Sequence, residues 1–281
     1  MGLKMRFLIV PIIGVCMAFL FIGISVFAGP AVPVVSNMSV SDPIDLNACS
    51  TVVIWCNASV SDGDGWYNEI DNVNATLWDE AAANEGDSDD NSNHYTNYSC
   101  KLGGNISVTD VFVNCSFTIQ YYANPAEWTC KIRANDSSSN VGSNSTNLTV
   151  NTLIALDADN AINFGNLNPG NTSSSDVNNT VTNCGNVGID LNLSGTDLTN
   201  NSATVTNITV GNIKYNVTHY NQDYAGGMKS LSATSTHADF SLAKRTNGMM
   251  TNKTYWKISV PSVIENLIYE GTVTFTAVTD S

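Results

Sequence analysis

The stretch TVVIWCNASV, Thr51 to Val60, places Val52, Ile54, Cys56, Ala58 and Val60 on one side of an extended chain and Asn57 on the other. A backbone whose side chains switch face at every residue, with apolar groups on one face only, is a half-buried strand. The same period recurs in Val73, Ala75 and Leu77; in Val113, Cys115, Phe117 and Ile119; in Ile189, Leu191 and Leu193; and in Ile213, Tyr215 and Val217. These short runs are bounded by Gly, Asn, Asp and Pro, and no stretch has an amphipathic helical period, so the expected fold is all-β, built of sandwiches. RANDSSSNVGSNSTNLTV, Arg133 to Val150, looks like a Ser/Asn tether. Its phase says otherwise: Trp128, Cys130, Ile132 and Ala134 lead into a turn, and Leu148 and Val150 return, which makes it a hairpin.

At 281 residues the chain has room for about two domains. Lys4 and Arg6 precede an uncharged apolar segment, Phe7 to Ala28, with Val26 and Ala28 forming a small-residue cleavage site. This is an export signal, cleaved before Gly29 or retained as a membrane anchor. Cys16 sits mid-segment and reads as apolar filling rather than a lipidation site. The expected organisation is a leader at 1–28, an Ig-like sandwich at 29–151 and a second sandwich at 152–281, where the alternation restarts at Leu153.

Loss of Lys4 and Arg6 with the leader takes the formal charge from −14 to −16. A phosphate backbone repels such a surface, so nucleic acid is excluded as a partner. From Gly29 to Cys100 there is no Lys or Arg, an acidic balance that suits solubility or divalent cations.

The chain carries 37 Asn and 56 Ser plus Thr. Random placement would give roughly seven N-x-[ST] sequons; the sequence has sixteen. They begin at Asn37, Asn57, Asn74, Asn97, Asn105, Asn114, Asn135, Asn144, Asn147 and Asn171, and at Asn178, Asn192, Asn200, Asn207, Asn216 and Asn252. A sequon marks a surface position in an exported chain. Asn57, Asn74, Asn114, Asn192 and Asn216 each oppose the apolar phase of their own strand, so each candidate glycan points away from the core.

Six cysteines follow Cys16, and in an exported chain they read as disulfides before metal sites. Cys56 and Cys130 both hold inward strand positions, with Trp128 two residues before the latter, and are expected to clamp the two sheets. Cys100 with Cys115 is the second expected pair. Cys49 and Cys184 are left to pair across the domains, to link subunits or to stay free.

INFGNLNPGN, VTNCGNVGIDLNLSGTDL and YWKISVPSVIENLIYEGTVTFTAV resemble the C-terminal β-sandwich of archaeal cell-surface proteins, distantly similar to the TasA and camelysin group. VSDGDGWYNEIDNVNATLWD followed by VNCSFTIQYYANPAEWTCKIRAND resembles the Ig-like domain that precedes it in small archaeal surface proteins. The small polar residue usual in the VTN-x-GN turn is Cys184 here. The resemblance implies a surface component of a group in which some members polymerise into fibres. The motif residues have structural tasks: Gly165 and Gly170 flank a turn with Pro169, while Trp256, Ile258, Val260, Val273, Phe275 and Ala277 face a core.

Camelysin-like proteins have been called metallopeptidases, but His94, His219 and His237 are far apart, with no H-E-x-x-H. No G-x-S-x-G elbow occurs either, so no enzymatic activity is expected. The acidic loops DGDG, Asp62 to Gly65, and DSDDNSN, Asp87 to Asn93, space oxygen ligands at alternate positions. Of these, Asp87, Asp89 and Asn91 are the better candidates for a structural Ca²⁺, although neither loop is an EF-hand. No other cofactor is expected.

These features describe a non-enzymatic, N-glycosylated protein, secreted or displayed at the cell surface, that serves as a structural subunit of an envelope layer or filament. The alternative is an adhesin that contacts glycans or proteins of a partner cell, for which Trp55, Trp66 and Trp78 on the polar phase or in a loop supply contact residues. Expected partners are copies of itself or other surface proteins and glycans, with the membrane touched only through an uncleaved leader. Residues Gly29 to Val40 are a candidate donated strand for a neighbour's sheet edge.

Overall fold

The computed structural model describes residues 30–200 and 206–280. The leader at 1–28, Cys16 included, lies outside the described residues. Eight strands build the first sandwich: β1 Val34–Val40, β2 Thr51–Ser61, β3 Ile70–Asp79, β4 His94–Asn97, β5 Lys101–Asn105, β6 Asp110–Gln120, β7 Glu127–Asp136 and β8 Val141–Thr149. One sheet has the order β1-β2-β6-β5 and the other β4-β3-β7-β8. Every pairing is antiparallel.

The alternation read from the sequence sets this packing. Ile54, Cys56, Ala58 and Val60 on β2 and Val111, Val113, Cys115, Phe117 and Ile119 on β6 face Val73, Ala75 and Leu77 on β3 and Trp128, Cys130, Ile132 and Ala134 on β7, all buried. Trp128 is wholly buried, its Nε1 donates to Asn124 O at 3.0 Å, and Tyr95 lies 6.0 Å from it between ring centroids. Cys56 on β2 is bonded to Cys130 on β7, which ties the two sheets together across the core. Cys100, just before β5, is bonded to Cys115 on β6. The hairpin between β7 and β8 is closed by Asp136, whose Oδ1 accepts the backbone N–H groups of Ser138 and Asn140 at 2.9 and 2.7 Å.

The arm offered as a donated strand is occupied within its own chain. β1 pairs with β2 from Val34↔Ser61 to Val40↔Cys56, with a bulge between Ser36 and Ser39. Val35 is buried in the core, and Asn144 Nδ2 of β8 donates to Val35 O at 3.1 Å.

The second sandwich comprises β9 Leu156–Ala158, β10 Val177–Asn183, β11 Ile189–Gly195, β12 Ile213–Asn216, β13 Lys229–Ser230, β14 Thr236–His237, β15 Thr251–Ile258 and β16 Val273–Thr279. Its sheets have the orders β13-β12-β15-β10-β9 and β14-β11-β16. Trp256 is wholly buried at its centre, between Tyr215 at 5.4 Å and Phe275 at 5.8 Å. Gly165 and Gly170, on either side of NLNP, have φ of 68° and 82°, the left-handed region a glycine enters without a Cβ clash.

The two sandwiches are joined by more than the chain. Cys49, in the β1–β2 connection, is bonded to Cys184, in the turn after β10, so the two cysteines left open by the sequence pair across the domains. Around that bridge Asn186 clasps the connecting segment: its Oδ1 accepts from Leu153 N at 2.7 Å and its Nδ2 donates to Asn151 O at 3.0 Å. Gly185 is required there, because a Cβ would lie 2.2 Å from Leu153 O. On the flank, Lys244 Nζ donates to Asn124 Oδ1, and the Arg245 guanidinium lies 4.7 Å from the Tyr122 ring centroid. Partial burial pulls the Lys244 amine below its ordinary pKa, against the fields of Asp79 and Asp90.

Candidate functional site

Both cores are filled mainly by apolar side chains, which leaves the outer faces of the sheets and their loops as the candidate places for functional chemistry. All sixteen sequon asparagines are exposed or half-buried, while the buried asparagines Asn179, Asn183 and Asn186 lie outside sequons. Those three are consumed by structure: Asn183 Nδ2 reaches Val187 O, Leu242 O and Ala243 O, and Asn179 Nδ2 donates to Asp159 O at 2.7 Å.

On the outer face of the β1-β2-β6-β5 sheet, Trp55, Asn57, Ser59, Phe112, Asn114 and Ser116 form neighbouring rows, with Trp55↔Ser116 and Asn57↔Asn114 as direct partners. The Trp55 side is 45 % exposed. It lines a concavity of about 390 Å³ together with Ser39, Val40, Ser41, Asn57 and Asn114. The other tryptophans named as contact residues are less available. Trp66 is half-buried with Nε1 donating to Ser107 O at 3.2 Å, and Trp78 is half-buried opposite His94 and Thr129.

The opposite sheet is covered by the acidic loop. Glu85 reaches over it to Lys131 Nζ at 2.9 Å and Arg133 Nε at 2.6 Å. The Arg133 hydrogen bond, with help from Lys131, holds the Glu85 carboxyl below its ordinary pKa despite partial desolvation, and the same contact raises Arg133. His94 is buried beneath the loop, its Nδ1 2.9 Å from Asp89 Oδ1 and its Nε2 3.1 Å from Glu85 O. Asp90 is partly desolvated, which works to raise its pKa, but the backbone N–H groups of Asn93, Ser92 and His94 and the Asn93 side chain hold it low. Burial raises the Tyr95 phenol well above its ordinary range; its hydroxyl donates to Asn91 O at 2.6 Å.

The residues expected to hold Ca²⁺ have partners within the loop and on β4. Asp89 Oδ1 accepts from Thr96 Oγ1 at 2.9 Å as well as facing His94, and Asp87 Oδ2 accepts from Asn84 N at 2.7 Å. Asn91 turns the chain at φ 62°. Among the described residues no group of three or more His, Cys, Asp and Glu side chains is gathered as a metal requires. Glu85 straps the loop to cations that lie 46 and 48 residues further along the chain. Sequence reading weighed His94 only as a zinc ligand and missed its role here; nothing in the local pattern marks a long-range partner.

The second sandwich holds a buried ion pair that sequence reading also missed. Lys257 and Asp176 are 3.5 Å apart, with side chains 8 % and 0 % exposed. Lys257 Nζ donates to Gln222 O at 2.8 Å, and Asn221 N donates to Asp176 Oδ2. The only available signal was the register, since Val177↔Trp256 carries Asp176 towards Lys257.

No protein-family model matches the chain, and no curated protein matches it. Solved structures match it at low scores. The tetra-tandem repeat from the extending region of a large adhesion protein is 15 % identical, with TM-score 0.28, over 83 % of this chain and 50 % of that one. A Legionella pneumophila protein of the DUF4785 family is 7 % identical, with TM-score 0.27, over 86 % of this chain and 47 % of that one. The chain thus spans about half the length of these two. A carbohydrate-binding module of the β-sandwich superfamily is 10 % identical, with TM-score 0.26, over 88 % of this chain and 97 % of that one. At these scores the likeness carries no argument about function, and the fold assignment rests on the two sandwiches themselves.

Proposed function

We propose that this chain is a non-enzymatic, N-glycosylated protein of the cell surface or medium, acting as a structural subunit of an envelope layer or filament. The observation that carries the reading is the partition of asparagines: every sequon asparagine is exposed or half-buried, and the three fully buried asparagines are outside sequons. Three disulfides fit an oxidising compartment, and a domain pair locked by a covalent bridge suits a load-bearing part. The resemblance to the archaeal TasA and camelysin group supports assembly, and β1 is the element through which copies would exchange strands.

Mass spectrometry of the intact protein from its native host tests the glycoprotein reading. The expected mass exceeds that of the bare polypeptide by several glycans, and a mass equal to the bare chain would overturn it. Immuno-electron microscopy tests the assembly: continuous labelling of fibres or a lattice supports it, and sparse labelling confined to cell contacts refutes it. The second reading, a carbohydrate-binding adhesin, is favoured by the exposed Trp55 beside its concavity.

A further inference from the structure

We propose that Trp55, Asn57 and Asn114 form one seat for one N-linked glycan, so that a molecule glycosylated at either asparagine is closed to glycosylation at the other, with the first sugar lying on the Trp55 ring. This rests on the glycoprotein reading and assigns its occupancy at a particular place. Asn57 and Asn114 are direct cross-strand partners on β2 and β6. Among the described strand pairs, no other register sets two sequon asparagines opposite one another. Directly opposed residues hold their Cβ atoms about 4.5–5.5 Å apart. Two sugar rings rooted that close on one face compete for the same volume.

The amides are turned for attachment. Both Oδ1 atoms are buried against the sheet without a hydrogen-bond partner, while the two residues remain half-exposed, which leaves Nδ2 as the outward end. Trp55 serves either site, since it precedes Asn57 by two residues on the same face and is diagonal to Asn114 through Trp55↔Ser116. Diagonal neighbours about 7–8 Å apart are within reach of an aromatic side chain. The apolar C–H face of a pyranose stacks on an indole, and the concavity of about 390 Å³ beside the ring, with Ser39 and Ser41 on its rim, accommodates one such ring. In the modification step Nδ2 bonds to the anomeric carbon of a phosphate-activated oligosaccharide. The carbon–oxygen bond to the phosphate carrier breaks with its electron pair leaving on the carrier, and Nδ2 loses one proton.

The test is quantitative glycopeptide mapping of the full chain from its native host. The occupied fractions at Asn57 and Asn114 are expected to add to no more than one glycan per molecule. Asn57→Gln, or Ser59→Ala, which removes the sequon and keeps the amide, is expected to raise occupancy at Asn114 towards that sum; Ser116→Ala does the converse. Removing the glycan should expose the indole and red-shift tryptophan emission in the wild type but not in Trp55→Phe. Majority occupancy at both sites overturns the proposal, as does an empty pair on a chain whose other sequons are filled. A chain with no occupied sequon overturns the glycoprotein reading itself. Quenching of Trp55 by free oligosaccharides on the native glycoprotein also refutes the proposal and gives the seat to an external sugar.

Discussion

Gly142 is the position at which one added methyl group separates the N-terminal strand from the body of the protein. A Cβ there would lie 1.8 Å from Pro33 O and 2.6 Å from Pro33 C. Both are backbone atoms, so no rotamer change relieves the overlap, and Gly142→Ala must push the start of β1 away from β8. What β1 stands to lose is the burial of Val35 and the partial burial of Met38 and Val40 on the core. A fully buried Val contributes about 1.5–3 kcal/mol, and two half-buried residues about as much again, so complete release costs about 3–6 kcal/mol. A displacement limited to the Pro33 end costs about half of that, which sets the expected loss at about 1.5–3 kcal/mol. Urea unfolding followed by tryptophan fluorescence measures it, and size-exclusion chromatography with light scattering reports the second consequence. A freed β1 exposes the edge of β2 to another copy's strand, so the variant should populate exchanged oligomers more than the wild type. A variant within about 0.5 kcal/mol of wild type and unchanged in association would show that β1 is not seated against Gly142.

Replacing Cys56 and Cys130 together by Ser is expected to lower stability by about 2–5 kcal/mol in urea titrations, the usual effect of removing a native bridge from a small exported domain. Replacing Cys49 and Cys184 by Ser should leave both sandwiches folded, as read by near-ultraviolet circular dichroism, while small-angle scattering shows a wider spread of interdomain arrangements. For Glu85 the folded pKa lies below the unfolded one, so its contribution is present above the ordinary glutamate pKa of about 4.3 and fades as pH falls through the lowered value. Melting temperature measured from neutral to acid pH should therefore fall less steeply for Glu85→Gln than for wild type. Because the Glu85 pairs lie at the surface with Arg133 partly open to solvent, the difference is expected to be small.

Strand phase was legible wherever one face is dry. Ile54 to Val60, Val113 to Ile119 and Trp128 to Ala134 needed only the period of two to be assigned inward, and Cys56 and Cys130 inherited their pairing from that phase. What covers the outer faces was not legible, because it depends on partners far apart in sequence. Glu85 meets Lys131 and Arg133, and Lys244 meets Asn124 from 120 residues away. The spacing of Asp87 and Asp89 does not announce Asn84 and His94 as their partners, and only the folded loop shows those contacts. Cys49 lies in a connection at φ 50° with no strand phase to orient it. The N-terminal arm was ambiguous for a different reason: a strand that completes its own sheet and one that completes a neighbour's need the same residues.

The bridge between Cys49 and Cys184 also determines how the molecule responds to tension. Its partners are 135 residues apart in sequence, yet their Cα atoms are 4.5 Å apart. A pull applied along the chain from before Cys49 to beyond Cys184 crosses that bond directly, and everything from β2 to β10 lies inside a covalently closed loop that carries no load. Extended, that loop would add roughly 450 Å of slack at about 3.3–3.6 Å per residue. An intact bridge keeps this length hidden, so reduction would change a short, stiff link into a long, yielding one without altering a single residue.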